Sequence, residues 1–122
     1  MRNVLLTAVF AIPTVAGADL PEWAGYWAWK PADCVRAGEP GDDTPEYIAP
    51  DGIYGVEYSC DIHRWIATGV GKSWRVDMTC MDAGEEIKGP ELFVITSEDK
   101  LLRIGDDGWV VTLHRCAKGV DE

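Results

Sequence analysis

In the run from Trp74 to Cys80 every second residue is apolar: Trp74, Val76, Met78 and Cys80 alternate with Arg75, Asp77 and Thr79. A period of two marks a strand with one buried face, because successive side chains of an extended chain point to opposite sides. Val56, Tyr58, Cys60 and Ile62 oppose Glu57, Ser59 and Asp61 in the same way, and Trp109, Val111 and Leu113 oppose Thr112 and His114. Between such runs stand Asp51-Gly52, Gly69-Val70-Gly71, Ala83-Gly84, Glu98-Asp99 and Asp106-Asp107-Gly108. These are turn sequences, and their glycines supply the positive φ that tight connections need. No long stretch repeats at helical spacing with caps. The sequence therefore predicts an all-β chain with strands near 23–30, 46–49, 53–59, 61–68, 73–80, 86–96, 100–105 and 108–116. Short strands with no helix to cover them leave exposed edges, which closure of the sheet removes. The expected fold is a small antiparallel up-and-down barrel of eight short strands, its interior filled by side chains.

The first residues carry a different signal. Arg2 precedes an apolar stretch from Val4 to Ile12, then Pro13 and a small-residue tail ending at Ala16 and Ala18. This is the three-part pattern of a secretory signal peptide over residues 1–18, leaving a single domain at 19–122. The apolar run is shorter than the roughly 20 residues a spanning helix needs, so no membrane anchor is expected. Export to the periplasm or beyond places the four cysteines in an oxidising compartment. Cys34, Cys60, Cys80 and Cys116 are widely spaced, with no C-x-x-C pair. That spacing indicates disulfides rather than a zinc ribbon, and four cysteines allow three pairings. In an up-and-down barrel the first and last strands adjoin. Closure thus favours Cys34 with Cys116, leaving Cys60 and Cys80 to join neighbouring strands.

Charge narrows the partners. With 11 Lys plus Arg against 21 Asp plus Glu, the chain carries a formal −10 and is repelled by nucleic acid and by anionic membrane surfaces. A cationic envelope protein is the favoured partner class, bound by a monomer. Catalytic patterns are lacking: His63 and His114 sit in no H-x-H or H-E-x-x-H context, and no G-x-S-x-G occurs. The adjacent carboxylates Asp42-Asp43 and Asp106-Asp107 fall in turn or loop sequence, and Glu85 and Glu86 would point to opposite strand faces. Neither an enzyme, a metal site nor a cofactor is expected. Pro31 to Pro45 reads as an irregular loop pinned by Cys34. The six tryptophans are the remaining signal. Trp23, Trp27 and Trp29 share one strand face, and Trp23 and Trp29 are candidate binding residues if that face reaches a barrel mouth, core residues if it does not.

Gly25-Tyr26-Trp27 in the first strand, with Arg115-Cys116 in the last, resembles the calycin superfamily, which includes lipocalins, avidins and small periplasmic metalloprotease inhibitors. The resemblance implies that Trp27 closes one end of the barrel and Arg115 packs across it. A longer likeness, carried by "APDGIYGVEYSCDI", "WRVDMTCMDAGEE" and "DKLLRIGDDGWVVTLHRC", is to a group of small exported proteins of Gram-negative bacteria. Gly25, Trp27, Glu57, Cys60, Cys80, Gly84, Arg115 and Cys116 stand at that group's recurring positions. It implies a barrel in the periplasm and brings no activity with it. The function expected from residues and resemblance together is a non-enzymatic binding or inhibitory module. A calycin-type carrier of a small ligand and a structural envelope protein are the alternatives.

Overall fold

The computed structural model describes residues 21–41 and 43–117; the expected signal segment lies outside the described residues. Eight antiparallel strands follow one another around a closed barrel. They are β1 (Gly25–Ala28), β2 (Glu46–Ala49), β3 (Gly52–Gly55), β4 (Tyr58–Ala67), β5 (Lys72–Asp82), β6 (Glu85–Ile95), β7 (Lys100–Gly105) and β8 (Val110–Arg115). Each pairs with its neighbours in sequence, and β1 pairs with β8. The all-β up-and-down barrel is thus the observed fold. A short 3-10 helix, Pro31–Arg36, is the helical element among the described residues.

The first and last strands are shorter than expected, Gly25–Ala28 against 23–30 and Val110–Arg115 against 108–116, and two further features depart from the expected strand map. The break between the third and fourth strands falls at Val56 and Glu57, not near residue 60, and β4 runs unbroken through Cys60. Gly55 precedes that turn and pairs across it with Tyr58, but the residue in the left-handed conformation is Glu57, at φ 56°. The second feature is a register shift between Ile62 and Arg64. This bulge inserts one extra residue, so that Ile62 and Trp65, three apart, both pack on the core.

Strand alternation fills the closed half of the barrel. Trp27, Ile48, Ile53, Val76, Phe93, Leu101 and Leu113 have no exposed surface and form its central layer. Beneath them Trp23 stacks on Trp65 with ring centroids 3.6 Å apart, and Trp65 meets Phe93 edge-on. Two of the indole N–H groups at this end donate to carbonyls, Trp27 to Trp23 and Trp65 to Pro50. The guanidinium of Arg115 lies 4.4 Å over the Trp27 ring, held by the Asp99 carboxylate and the Glu22 carbonyl.

The seam is short. Register between β1 and β8 covers Trp27 with Arg115 and Ala28 with His114. On the outer face of that seam the 3-10 helix folds back over Tyr26 and Ala28, and the Cys34–Cys116 disulfide fastens it there. The second disulfide joins Cys60 to Cys80, directly opposed on β4 and β5. Disulfides of this kind persist in oxidising, extracellular-type compartments. Among the described residues no helix is long and apolar enough to cross a membrane.

At the other end the wall is uneven. Pairing of β6 with β7 begins at Glu91, so residues 85–90 bond to β5 alone and leave one edge free. Glu86, Lys88 and Pro90 occupy that edge, residue types that discourage pairing with a second sheet.

Candidate binding site

The strand phase that fills the closed half with hydrocarbon places polar side chains inside the other. Along β2 the inward positions are Ile48 and then Glu46; along β6, Phe93 and then Glu91; along β7, Leu101 and then Arg103. Tyr58 opens β4 at the same level. These four side chains converge.

Arg103 is the hub. Its Nε and Nη2 donate to the two oxygens of Glu91 at 2.8 and 3.0 Å, while Nη1 donates to Glu46 at 3.0 Å. Nη2 also donates to the Tyr58 hydroxyl at 2.6 Å. The guanidinium lies over the Phe93 ring, 5.3 Å from its centroid, so the polar cluster rests on the apolar layer. Side-chain exposure is 5% for Arg103 and 11% for each glutamate, which makes this a buried ion cluster and not a surface salt bridge. The Tyr58 oxygen stands 3.3 Å from Cys60 Sγ. An oxidised sulfur has no proton to give, so the hydroxyl is the donor there and accepts from Arg103 on its other side.

Stoichiometry governs the electrostatics. One guanidinium serves two carboxylates, leaving the cluster one negative charge in excess. For Glu46, loss of solvation outweighs its share of Arg103 and Glu91 adds repulsion, so its carboxyl is held above the ordinary value of 4.5. Arg103, facing two carboxylates, is held more firmly protonated despite its burial. Burial likewise pushes the Tyr58 phenol up. The sign for stability follows from proton uptake. Between pH 4.5 and its raised folded value, Glu46 binds more proton in the folded chain than in the unfolded one, so its contribution to stability falls as pH rises. The unfolding free energy of the protein minus that of Glu46→Gln is therefore expected to decrease with rising pH across this window in urea titrations. A difference that grows with pH would contradict the geometry.

Above the cluster the barrel is open. A cavity of about 770 Å³ is bounded below by Glu46, Glu91, Arg103 and Tyr58. Its walls are apolar at Ile87, Val111 and Trp109, and Trp29 stands at the rim. Trp109 packs over Gly105, where any Cβ would collide with the indole. Asp33, Asp43, Glu57 and Asp82 complete an acidic lining, six carboxylates in all against the cations Lys30 and Arg103.

The candidate residues read from sequence divide between the two ends. Trp29 is 63% exposed at the open mouth, whereas Trp23 is 5% exposed in the closed end, where its stack on Trp65 makes it a core residue. Trp27 and Arg115 meet at the closed end, and Cys80 of the second disulfide borders the cavity. The interior, expected to be filled, is filled in one half alone. The Arg103 cluster had no counterpart in the sequence reading. Its signal was present in part: Arg103 interrupts the apolar phase of Leu101 inside a strand, and Glu46 and Glu91 do the same in theirs. His63, read as a strand residue without a metal context, pairs on the outer surface with the Thr79 hydroxyl at 2.9 Å. Among the described residues no group of three or more His, Cys, Asp or Glu is arranged to hold a metal ion.

Comparisons with protein-family models, with curated proteins and with solved structures find no match to this chain.

Proposed function

We propose that this protein is a binding module of the bacterial periplasm or secreted space, non-enzymatic, acting as a monomer on a cationic protein partner that it holds at the open mouth. The observation that supports the reading is the cavity: about 770 Å³, walled by apolar side chains and floored by polar groups whose positions are fixed by mutual hydrogen bonds. Ligand sites characteristically combine those properties at about 300 to 1,000 Å³. The exposed indoles Trp29 and Trp109 suit a protein interface, where aromatic anchors carry much of the energy. A formal −10 on the whole chain draws cationic partners and makes their association sensitive to salt. The G-x-W start and the closing arginine fit a calycin-like barrel of the exported Gram-negative group.

The cavity also favours a second reading, a carrier of a small ligand, because its volume accommodates one. The two readings are separable. Partner binding predicts that a basic envelope protein captured at low salt is released at high salt, and that Trp29→Ala/Trp109→Ala weakens its purified complex by about tenfold or more. Capture unaffected by loss of both rim indoles would refute the mouth as the site. A small molecule that copurifies with the oxidised protein and quenches its indole fluorescence would move the assignment to a carrier.

A further inference from the structure

The floor of the mouth is unbalanced in both charge and hydrogen bonding. Arg103 spends its donors on Glu91, Glu46 and the Tyr58 hydroxyl. Each carboxylate oxygen accepts about two hydrogen bonds, and Arg103 provides fewer donors than four such oxygens take. Among the described residues Arg103 is the only cation within ion-pair distance of either glutamate. A negative charge in excess and carboxylate acceptor positions that face the cavity therefore stand at the base of an open mouth. The conditions that make a buried, incompletely compensated charge unfavourable make a second cation favourable there.

Resting on the reading of the mouth as a partner site, we propose that its occupant is a lysine or arginine side chain at the tip of a partner's loop, its charged end placed on Glu46 and Glu91. The apolar stem of such a side chain matches the walls at Ile87, Val111 and Trp109, and long basic side chains characteristically bury their methylenes while keeping the charge on polar groups. The cavity exceeds one side chain in size, so the loop tip enters with it and meets the rim at Trp29. The carboxylates of Asp43, Glu57 and Asp82 at the mouth set the sign of what approaches. An anionic group is disfavoured, because Arg103 is already saturated by two carboxylates. Lys30 lies in the lining but outside ion-pair distance of the floor, and leaves the balance negative.

The test uses the intact oxidised protein and short acetylated, amidated peptides of glycine and serine with one central residue. Lysine and arginine peptides are compared with norleucine and citrulline peptides, which keep the stem and remove the charge. Binding is followed by indole fluorescence and by the indole N–H resonances of Trp29 and Trp109. The expected result is about tenfold tighter binding of the charged peptides, the size of effect typical of a charge-assisted contact in a partly buried site. Glu46→Gln, which leaves Arg103 its bidentate contact with Glu91, is expected to remove most of that preference without unfolding the barrel. Equal affinity for charged and neutral peptides, or preference for a glutamate peptide, would overturn the proposal while leaving the mouth as a partner site. A free diamine that binds as tightly as the lysine peptide would also overturn it, in favour of a small-molecule ligand. Loss of the partner reading has its own signature, capture that is indifferent to Trp29 and Trp109.

Discussion

Replacing Cys34 and Cys116 together by alanine is expected to lower the unfolding free energy by about 4 to 5 kcal/mol, from the loop-entropy relation for a closed loop as long as this one. The two cysteines are 82 residues apart, so their bond constrains most of the unfolded chain. Its place in the fold adds a second effect. The β1–β8 seam is the shortest in the barrel and is covered on its outer face by the 3-10 helix that Cys34 anchors. Loss of the bond is therefore expected to show first as hydrogen exchange at Tyr26, Ala28 and His114. The Cys60–Cys80 bond spans 20 residues within one hairpin, and its removal is expected to cost about 3 kcal/mol on the same relation. Denaturant unfolding of the two paired-alanine variants measures both. Equal effects, or a larger one for the hairpin bond, would mean that closure does not depend on the seam as described.

Arg103→Met is expected to destabilise by about 3 to 5 kcal/mol, because it removes one partner from a buried ion cluster and leaves two carboxylates facing each other. The cost arises from the stranded charges, not from the missing contacts. Replacing Glu46, Glu91 and Arg103 together by apolar residues of similar volume is accordingly expected to restore stability to that of the parent or exceed it. The triple variant should even so lack the preference for basic side chains proposed for the mouth. Stability recovered without binding would identify the cluster as a device for recognition. An Arg103→Met variant within about 1 kcal/mol of the parent, the value of an exposed pair, would show that the cluster is hydrated and open.

Much of the barrel was legible because period-two alternation is enforced wherever one strand face is buried. Trp74 to Cys80 followed it without exception, whereas Trp109, read into the last strand, lies just before β8 and is 42% exposed at the mouth. The misplaced β3–β4 turn had a specific cause: Glu57 adopts the left-handed conformation usually left to glycine, while the adjacent Gly55 stays within β3. Trp65 was invisible as an interior residue because the bulge after Ile62 breaks the phase that would have assigned it. The mouth was harder still. Glu46, Glu91 and Arg103 belong to three strands separated by up to 57 residues, and a charged residue at an inward position looks, in isolation, like a strand facing solvent. Closure brings them together, and closure depends on the whole register. Trp23 and Trp29 illustrate the same limit: the sequence reads both into the first strand, yet β1 covers Gly25–Ala28 alone, and the turn before it holds Trp23 in the closed end while the bend after it leaves Trp29 at the rim.

The central proposal, that recognition occurs at the open end above Arg103, is tested most directly by the indole N–H spectrum of the ¹⁵N-labelled oxidised protein titrated with the lysine-centred peptide. The resonances of Trp29 and Trp109 are expected to shift or broaden while those of Trp23, Trp27 and Trp65, at the far end, hold their positions. Saturable movement of the far-end indoles with Trp29 and Trp109 unchanged would contradict it.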